Sequence, residues 1–324
     1  EHLLEVDMKS LFLSSLLALG LLAVPAQAAE YPAKPITLMT AFNAGGGSDV
    51  SHRLLEKFAK GVFDQPIVVT YKAGAGGEIG WTWLVGAKAD GYNIGGVDLP
   101  HIVLQPMLRP EGQPGYKTEQ LNPLCCLVYD ADVVMVPEDG PYKTFKDLIE
   151  YAKANPGKVK VATVGKLTGD HLFLMQIEKL TGAKFTQVPY SGSGKAIPAL
   201  LSGEVDAYFG SGSSFLRMEK TRGLAIGSKE RYELCPDVPT FIEQGYAIES
   251  GKYRGLATPQ NIPAEARQYL ETKFAELCAN PEYQKAVKSS GLMPQFQTGK
   301  AFGEIIRTEG EQAKKILEAY GLLK

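Results

Sequence analysis

The sequence has no excess of basic residues, because 34 Lys and Arg stand against 36 Asp and Glu, for a formal net charge of −2. Proteins that bind nucleic acid through its phosphates need a basic surface, so the composition argues against that class of partner. Glycine and proline number 35 and 20 of the 324 residues and follow no period, which excludes collagen-like and low-complexity chains. The 44% hydrophobic content excludes a disordered chain, and the length allows one large domain or two of ordinary size.

Cysteine is scarce, and its spacing fits no metal site. The four cysteines, Cys125, Cys126, Cys235 and Cys278, contain no C-x-x-C pair and no zinc-type Cys/His spacing. The apolar setting LCCLV favours buried strand thiols at the first two positions, while a Cys235–Cys278 bridge remains one open alternative for an exported chain. We expect no metal and no cofactor.

Catalytic motifs are also missing. The glycine-rich segment 45–48 lacks the Lys of a phosphate loop, 74–80 lacks the dinucleotide spacing, and 210–213 is not a G-x-S-x-G nucleophile elbow. No nucleophile–base pair stands at a recognisable spacing. The sequence therefore favours a binding protein over an enzyme.

The N-terminal region resembles an export signal. Lys9 precedes an apolar run from Leu11 to Val24, and Ala26-Gln27-Ala28 fits a signal-peptidase site. The run of about 14 residues is shorter than the roughly 20 that a spanning helix needs. We therefore predict that residues 1–28 are upstream residues plus a cleaved signal peptide, that the mature chain starts near Ala29, and that the protein is periplasmic; a retained membrane anchor is the alternative.

Short apolar runs alternate with amphipathic segments through the rest of the chain, which predicts βαβ units. The predicted strands are 36–42, 66–71, 92–98, 133–137, 159–163, 205–210 and 223–228. The predicted helices are 48–62, 78–89, 144–156, 170–182, 195–204, 264–281 and 302–321. Strand-like segments 124–137 and 252–258 lie between two such sets. The pattern predicts two α/β domains with mostly parallel sheets, 29–128 with 250–324 and 129–249, and a cleft between them.

Four glycine- or serine-rich turns each open a helix, two in each half; three follow a predicted strand and the fourth follows the stretch VPY (188–190). They are 43–49, 72–78, 164–171 and 191–194. Helix N-termini and glycine backbones favour an anion, and ligands in open α/β sheets bind beyond the carboxyl ends of the strands. These turns therefore predict a carboxylate site. Asp98 and His101, at and beyond the end of strand 92–98, are further candidate lining residues. Lys166 and Lys195 either pair with a second carboxylate or are solvated.

The turns, in this order, resemble the Bug family (TctC-like) of extracytoplasmic solute receptors. The motifs AFNAGGGSD (41–49), KAGAGGEIG (72–80), KADGYNI (88–94), VPYSGSGKAIPALLSGEVDAYF (188–209) and CPDVPTFIEQGY (235–246) carry the resemblance over nearly the whole mature chain. Ala44, Lys72-Ala73, Lys166-Leu167, Lys195 and Gly210 depart from the family's usual pattern.

The resemblance implies a two-domain flytrap that binds a small organic carboxylate and delivers it to the membrane permease of a tripartite tricarboxylate transporter. It further implies these ligand-binding residues: Phe42, Ser48, Asp49, Gly76, Gly77, Glu78, Thr163, Thr168, His171, Tyr190, Ser191 and Ser193. A ligand sensor acting on a membrane kinase has the same fold and stays open as an alternative; a secreted enzyme acting on a carboxylate is a more distant one.

Overall fold

The computed structural model describes residues 30–109, 115–166 and 168–323. The predicted signal peptide and its cleavage site lie outside these ranges. Within them, no helix combines the length and the hydropathy that a bilayer crossing requires.

Ten strands and ten α-helices are assigned in the described residues. The strands are β1 Ile36–Thr40, β2 Ile67–Tyr71, β3 Asn93–Leu99, β4 Leu121–Pro137, β5 Lys160–Val164, β6 Thr186–Tyr190, β7 Ala207–Ser211, β8 Thr221–Ile226, β9 Gly251–Pro259 and β10 Met293–Thr298. The helices are α1 Gly47–Ala59, α2 Glu78–Val85, α3 His101–Leu108, α4 Phe145–Ala154, α5 Gly169–Thr181, α6 Ser193–Leu201, α7 Gly212–Phe215, α8 Ala264–Ala279, α9 Pro281–Ser289 and α10 Gly299–Ala319.

The strands form one continuous sheet in the order β2-β1-β3-β9-β4-β7-β5-β6, with β10 and β8 also paired to β4. β1 pairs in parallel with β2 and β3, and β5 pairs in parallel with β6 and β7, which confirms the predicted βαβ units. The sheet is mixed at its centre rather than mostly parallel, because the two segments that cross between the halves, β4 and β9, run antiparallel to each other and to their other neighbours. The cleft therefore has an antiparallel floor.

β4 divides the molecule into two lobes. Its residues 121–131 pair with β9, and residues 132–137 pair with β7 and β8. We call residues 30–131 with 251–323 the first lobe and residues 132–250 the second lobe. The core of the molecule is apolar, with Trp81, Phe145 and Phe173 fully buried.

Local sequence explains most helix ends. Thr144 and Asp147 form a capping box at the start of α4, and Gly182 ends α5 with a φ of +74°. The predicted helix 264–281 ends at Ala279, and Asn280 caps a further helix, Pro281–Ser289, that the sequence pattern does not predict. All four cysteines are buried free thiols, so the Cys235–Cys278 bridge is not formed.

Candidate functional site

The turns that open α1, α2, α5 and α6 meet between the lobes. Asn43 of the first lobe donates a hydrogen bond to the Ser191 hydroxyl of the second at 2.8 Å. Gln105 donates to the Lys166 carbonyl at 3.4 Å. Gly76 and Gly165 approach so closely that a Cβ built on Gly165 would lie 3.4 Å from the Gly76 Cα. The lobes therefore touch across the cleft, and the glycines permit that approach.

Two cavities lie in the cleft and share Phe42 and Val164 in their walls. We call the deeper one, of about 20 Å³, the inner chamber. It is lined by Phe42, Asn43, Gly46, Gly47, Ser48, His101, Val164, Asp170, Gly192, Ser193, Ser211, Lys252 and Arg254. The other, of about 450 Å³, is the outer chamber. It is lined by Phe42, Ala75, Gly76, Arg109, Val164, Gly165, Lys166, His171, Pro189, Tyr190 and Ser191.

The two chambers differ in capacity. A cavity of the inner chamber's volume holds about one water molecule. The outer chamber is within the range of roughly 300–1,000 Å³ that small-molecule sites occupy. Of the two, only the outer chamber has room for a solute in this arrangement of the lobes.

Arg254 forms the centre of the inner chamber's ion pairs. Its guanidinium pairs with Asp98 of β3 and, at 2.8 Å, with Asp130 of β4. It also donates to the hydroxyls of Ser48, at 2.8 Å, and Ser211, at 3.1 Å. Burial alone would lower the pKa of Arg254, but the two carboxylates outweigh burial and raise it.

Lys252 forms a second ion cluster two residues earlier on the same strand. Its ammonium pairs with Asp132 of β4 and, at 2.8 Å, with Asp170 of α5. These carboxylates raise the pKa of Lys252 against the opposing effect of burial. Burial and the neighbouring Asp170 raise the pKa of Asp132, although Lys252 opposes them. Sequence reasoning missed both cations, although two basic residues at alternate positions of a predicted strand were a usable signal.

Two helix N-termini also border the inner chamber. α1 follows Gly46 and α6 follows Gly192, and neither helix has a side-chain cap. Uncapped N-termini present backbone N–H groups and favour negative charge. His101 adds a buried imidazole whose Nδ1 has no hydrogen-bond partner among the described residues. Burial, together with Lys252 and Arg254, holds the pKa of His101 well below its ordinary value, so the ring is neutral at pH 7.

The outer chamber is lined by three basic groups and, as far as its described walls go, by no Asp or Glu. Arg109 pairs at 2.5 Å with Glu78, which is not among the described lining residues. Burial and the nearby Lys166 lower the pKa of His171, although Glu178 opposes them. Gly76 supplies backbone in a left-handed conformation, with a φ of +66°. The chamber is thus suited to an anion.

The structure brings eight of the fourteen candidate residues to the chamber walls. Ser48, His101 and Ser193 line the inner chamber, Gly76, His171, Tyr190 and Ser191 line the outer chamber, and Phe42 lines both. Lys166 also lines the outer chamber, whereas Lys195 is exposed and lies in neither lining.

The other six candidates, Asp49, Gly77, Glu78, Asp98, Thr163 and Thr168, line neither chamber in the described residues. They support the walls instead. Asp49 accepts a hydrogen bond from the Gly45 amide at 2.8 Å, and Thr168 caps α5. Trp81 packs beside Gly77, where a Cβ would meet its ring. Thr163 accepts from Gln187 at 2.8 Å, which braces the turn after β5.

Comparison with known proteins agrees with this architecture. The family model described as tripartite tricarboxylate transporter family receptor, TctC, matches residues 52–322. The chain belongs to the TctC family. A Cupriavidus necator protein, "UPF0065 protein in gbd 5'region", is 30% identical over 311 residues, covering 95% of this chain and 94% of that one. Protein BugT of Bordetella pertussis is 34% identical over 287 residues, covering 86% of each chain. The solved structure of the periplasmic binding protein BugD superposes with a TM-score of 0.85 at 26% identity, covering 91% of this chain and all (100%) of that one.

These likenesses confirm the two-domain binding-protein fold and the resemblance drawn from the glycine-rich turns. As a TctC-family receptor, the protein binds a solute rather than transforming one. The charged residues of the inner chamber show how this member of the TctC family builds the floor of its cleft.

Proposed function

We propose that this TctC-family receptor captures a small organic carboxylate in the outer chamber and presents it to the membrane permease of a tripartite tricarboxylate transporter. The observation that carries the proposal is a solute-sized chamber between the lobes whose described walls hold basic groups and no acidic ones. A ligand-sized space of one charge sign selects for the opposite sign.

Backbone groups hold the carboxylate in this proposal. Ala75 and Gly76 lie in a short turn that leads directly into α2, and both line the chamber. Because helix N-termini attract anions, this turn is the natural place for one carboxylate group. Lys166, which lines the chamber from the second lobe, meets a second carboxylate on the same solute in this proposal.

The lobes act as the two domains of a flytrap in this proposal, with boundaries at 29–128 plus 250–324 and at 129–249. Support comes from the antiparallel pair β4–β9, which joins the lobes and lies beneath the cleft. A solute that contacts both lobes stabilises the arrangement in which they touch. The six supporting residues then act through the turns that they brace.

The test is a screen of melting temperature with acetate, succinate, glutarate, malate and citrate. A ligand present at 100 times its dissociation constant adds about 2.7 kcal/mol to the free energy of unfolding. We expect dicarboxylates or tricarboxylates to raise the melting temperature more than acetate does. A protein whose melting temperature none of the five acids raises would contradict the proposal.

The same proposal places the mature protein in the periplasm, with cleavage after Ala28. The basic residue, apolar run and small-residue site before Ala29 support it. Mass spectrometry of the periplasmic fraction should find a chain that starts at or next to Ala29. A chain that retains residues 11–24 would contradict this part.

A further inference from the structure

The ion cluster around Lys252 joins two segments that belong to different lobes. Lys252 lies on β9 of the first lobe, which pairs only with β3 and β4 in the described sheet. Asp170 lies in the first turn of α5, in the second lobe, and its Oδ1 is 2.8 Å from the Lys252 Nζ. The lysine is 3% exposed and the aspartate fully buried, so solvent screens this pair little.

Asp170 has a second contact that leads to the outer chamber. Its Oδ2 accepts a hydrogen bond from the Val164 amide at 2.8 Å. Val164 begins the segment 164–166, and all three of its residues line the outer chamber. The position of Asp170 therefore fixes the position of a chamber wall.

The other partner of Lys252 lies beside it on the floor of the cleft. Asp132 belongs to β4, the strand paired with β9, and its Oδ2 accepts a hydrogen bond from Ser250 at 2.7 Å. Asp132 is the first residue of the second lobe, but it directly follows Ala131, which pairs with Gly251 of β9, so it lies at the hinge between the lobes. When the lobes part, we therefore expect Asp132 to stay beside Lys252 and Asp170 to move away with α5. Lys252 thus has one partner on the floor and one across the cleft.

We infer that Lys252 is a positioning residue for solute binding, which holds the second lobe's wall 164–166 in the closed arrangement through its ion pair with Asp170. The inference rests on the proposed function for its effect on affinity, but not for its effect on the arrangement of the lobes. We expect removal of the Asp170 carboxylate to open the cleft and removal of the Asp132 carboxylate, at the hinge, to leave it closed.

The experiment compares Asp170→Asn with Asp132→Asn. Each variant removes one buried carboxylate from the same lysine and keeps the side-chain volume. An asparagine oxygen can still accept the hydrogen bond of Val164 or Ser250, and Lys252 keeps one carboxylate in either variant. The two substitutions therefore differ mainly in whether the charge is lost at the hinge or on α5.

The first measurement needs no ligand. Spin labels on Ile79→Cys and Leu201→Cys, two positions that are 52% and 49% exposed on opposite lobes, report the distance between the lobes. The native cysteines are buried, which favours selective labelling. We expect Asp170→Asn to lengthen or broaden the distance distribution, and Asp132→Asn to keep the distribution of the parent. Equal distributions in the two variants, changed or unchanged, would overturn the inference.

The second measurement is calorimetric titration with succinate, alongside thermal denaturation. We expect Asp170→Asn to raise the dissociation constant at least tenfold and Asp132→Asn to change it less than twofold, although both lower the melting temperature. If Asp170 and Asp132 contributed only to stability, the affinity for succinate would fall in proportion to the melting temperature in both variants. If the parent binds none of the screened acids, the proposed function fails, and the distance comparison alone decides the inference.

Discussion

The inner and outer chambers adjoin each other but differ in the elements and the charges that form them. The inner chamber rests on paired strands and contains charges that compensate one another, with Lys252 and Arg254 each held between two carboxylates. The outer chamber consists mainly of turns, and its basic groups face a space large enough for a solute. The comparison suggests that buried charge fixes the geometry of the floor, while backbone and less constrained charge recognise the ligand.

The largest expected effect is on the free energy of unfolding, and it tests this division of roles between the two chambers. Arg254→Met leaves Asp98 and Asp130 buried without their cation, so we expect a loss of about 3–5 kcal/mol in the free energy of unfolding. Urea denaturation measures this. The control is Arg53→Met, where the side chain is 48% exposed and the ion pairs are solvated, and where we expect less than about 1 kcal/mol. Similar losses in the two variants would contradict the special role of the floor.

A second prediction concerns the backbone of the outer chamber. Gly76→Val adds a Cβ that would lie 2.5 Å from the Gln105 Nε2 and 3.2 Å from the Thr168 Cγ2, so we expect the affinity for a carboxylate to fall more than tenfold. Calorimetry with the best ligand of the screen measures this.

Gly61→Val is the matched control for that variant. Gly61 has a φ of +89°, so the backbone strain is similar, but a Cβ there meets nothing within 4 Å. We expect the control to lose stability and keep its affinity. Lys72→Ala, which removes a cation outside both chamber linings, should also bind normally; loss of binding there together with normal binding by Gly76→Val would exclude the backbone cradle.

A third prediction separates the two lysines of the second lobe. Lys166 lines the outer chamber and Lys195 does not. A charge-assisted contact contributes about 1.5–3 kcal/mol, so Lys166→Ala should weaken dicarboxylate binding by roughly 10- to 150-fold. Lys195→Ala serves as the control and should change the dissociation constant less than twofold. Equal affinities in the two variants would mean that Lys166 does not meet the ligand.

The last prediction concerns the pH dependence of stability beneath the first turn. His52 packs beneath the first turn, with its Nδ1 2.7 Å from the Thr40 hydroxyl, and burial lowers its pKa to about 4. Because the unfolded chain takes up this proton below about pH 6.5 and the folded chain does not, the free energy of unfolding falls as the pH drops toward 4. The change in the contribution of His52 to the free energy of unfolding is about 1.5 kcal/mol between pH 6.5 and 5. Denaturation of His52→Gln across this range should show a shallower slope, and an unchanged slope would contradict the assignment.

Sequence patterns predicted most of the fold, because the parallel strands and their helices have strong local periodicity. The exceptions have physical reasons. Helix α3 was not predicted because it is short and contains Pro106, and strand β10, MPQFQT, is polar and pairs only at the edge of β4. The antiparallel floor was not predicted because pairing between β4 and β9 joins segments that are far apart in the chain.

The candidate site was predicted only where its signal is local. Glycine-rich turns are recognisable from the sequence alone, so Gly76, Ser48 and Ser193 were correctly predicted to line the cleft. Arg254 was missed because its role depends on Asp98 and Asp130, which are near it only after the sheet has formed. The members of a buried ion cluster come from separate strands, so no fixed spacing in the sequence identifies it.

Because β4 runs through both lobes, it determines the order in which the two lobes can fold while the chain is being made. Every strand paired in the second lobe lies in the uninterrupted segment from β4 to β8, whereas the first lobe still lacks β9 and β10 at that stage. A chain that emerges N-terminus first, from a ribosome or an export channel, can therefore finish the second lobe while both edges of the first lobe's half of β4 are still unpaired. Open strand edges invite wrong pairing. Until β9 and β10 have been synthesised, the new chain is therefore most exposed to wrong strand pairing with other chains.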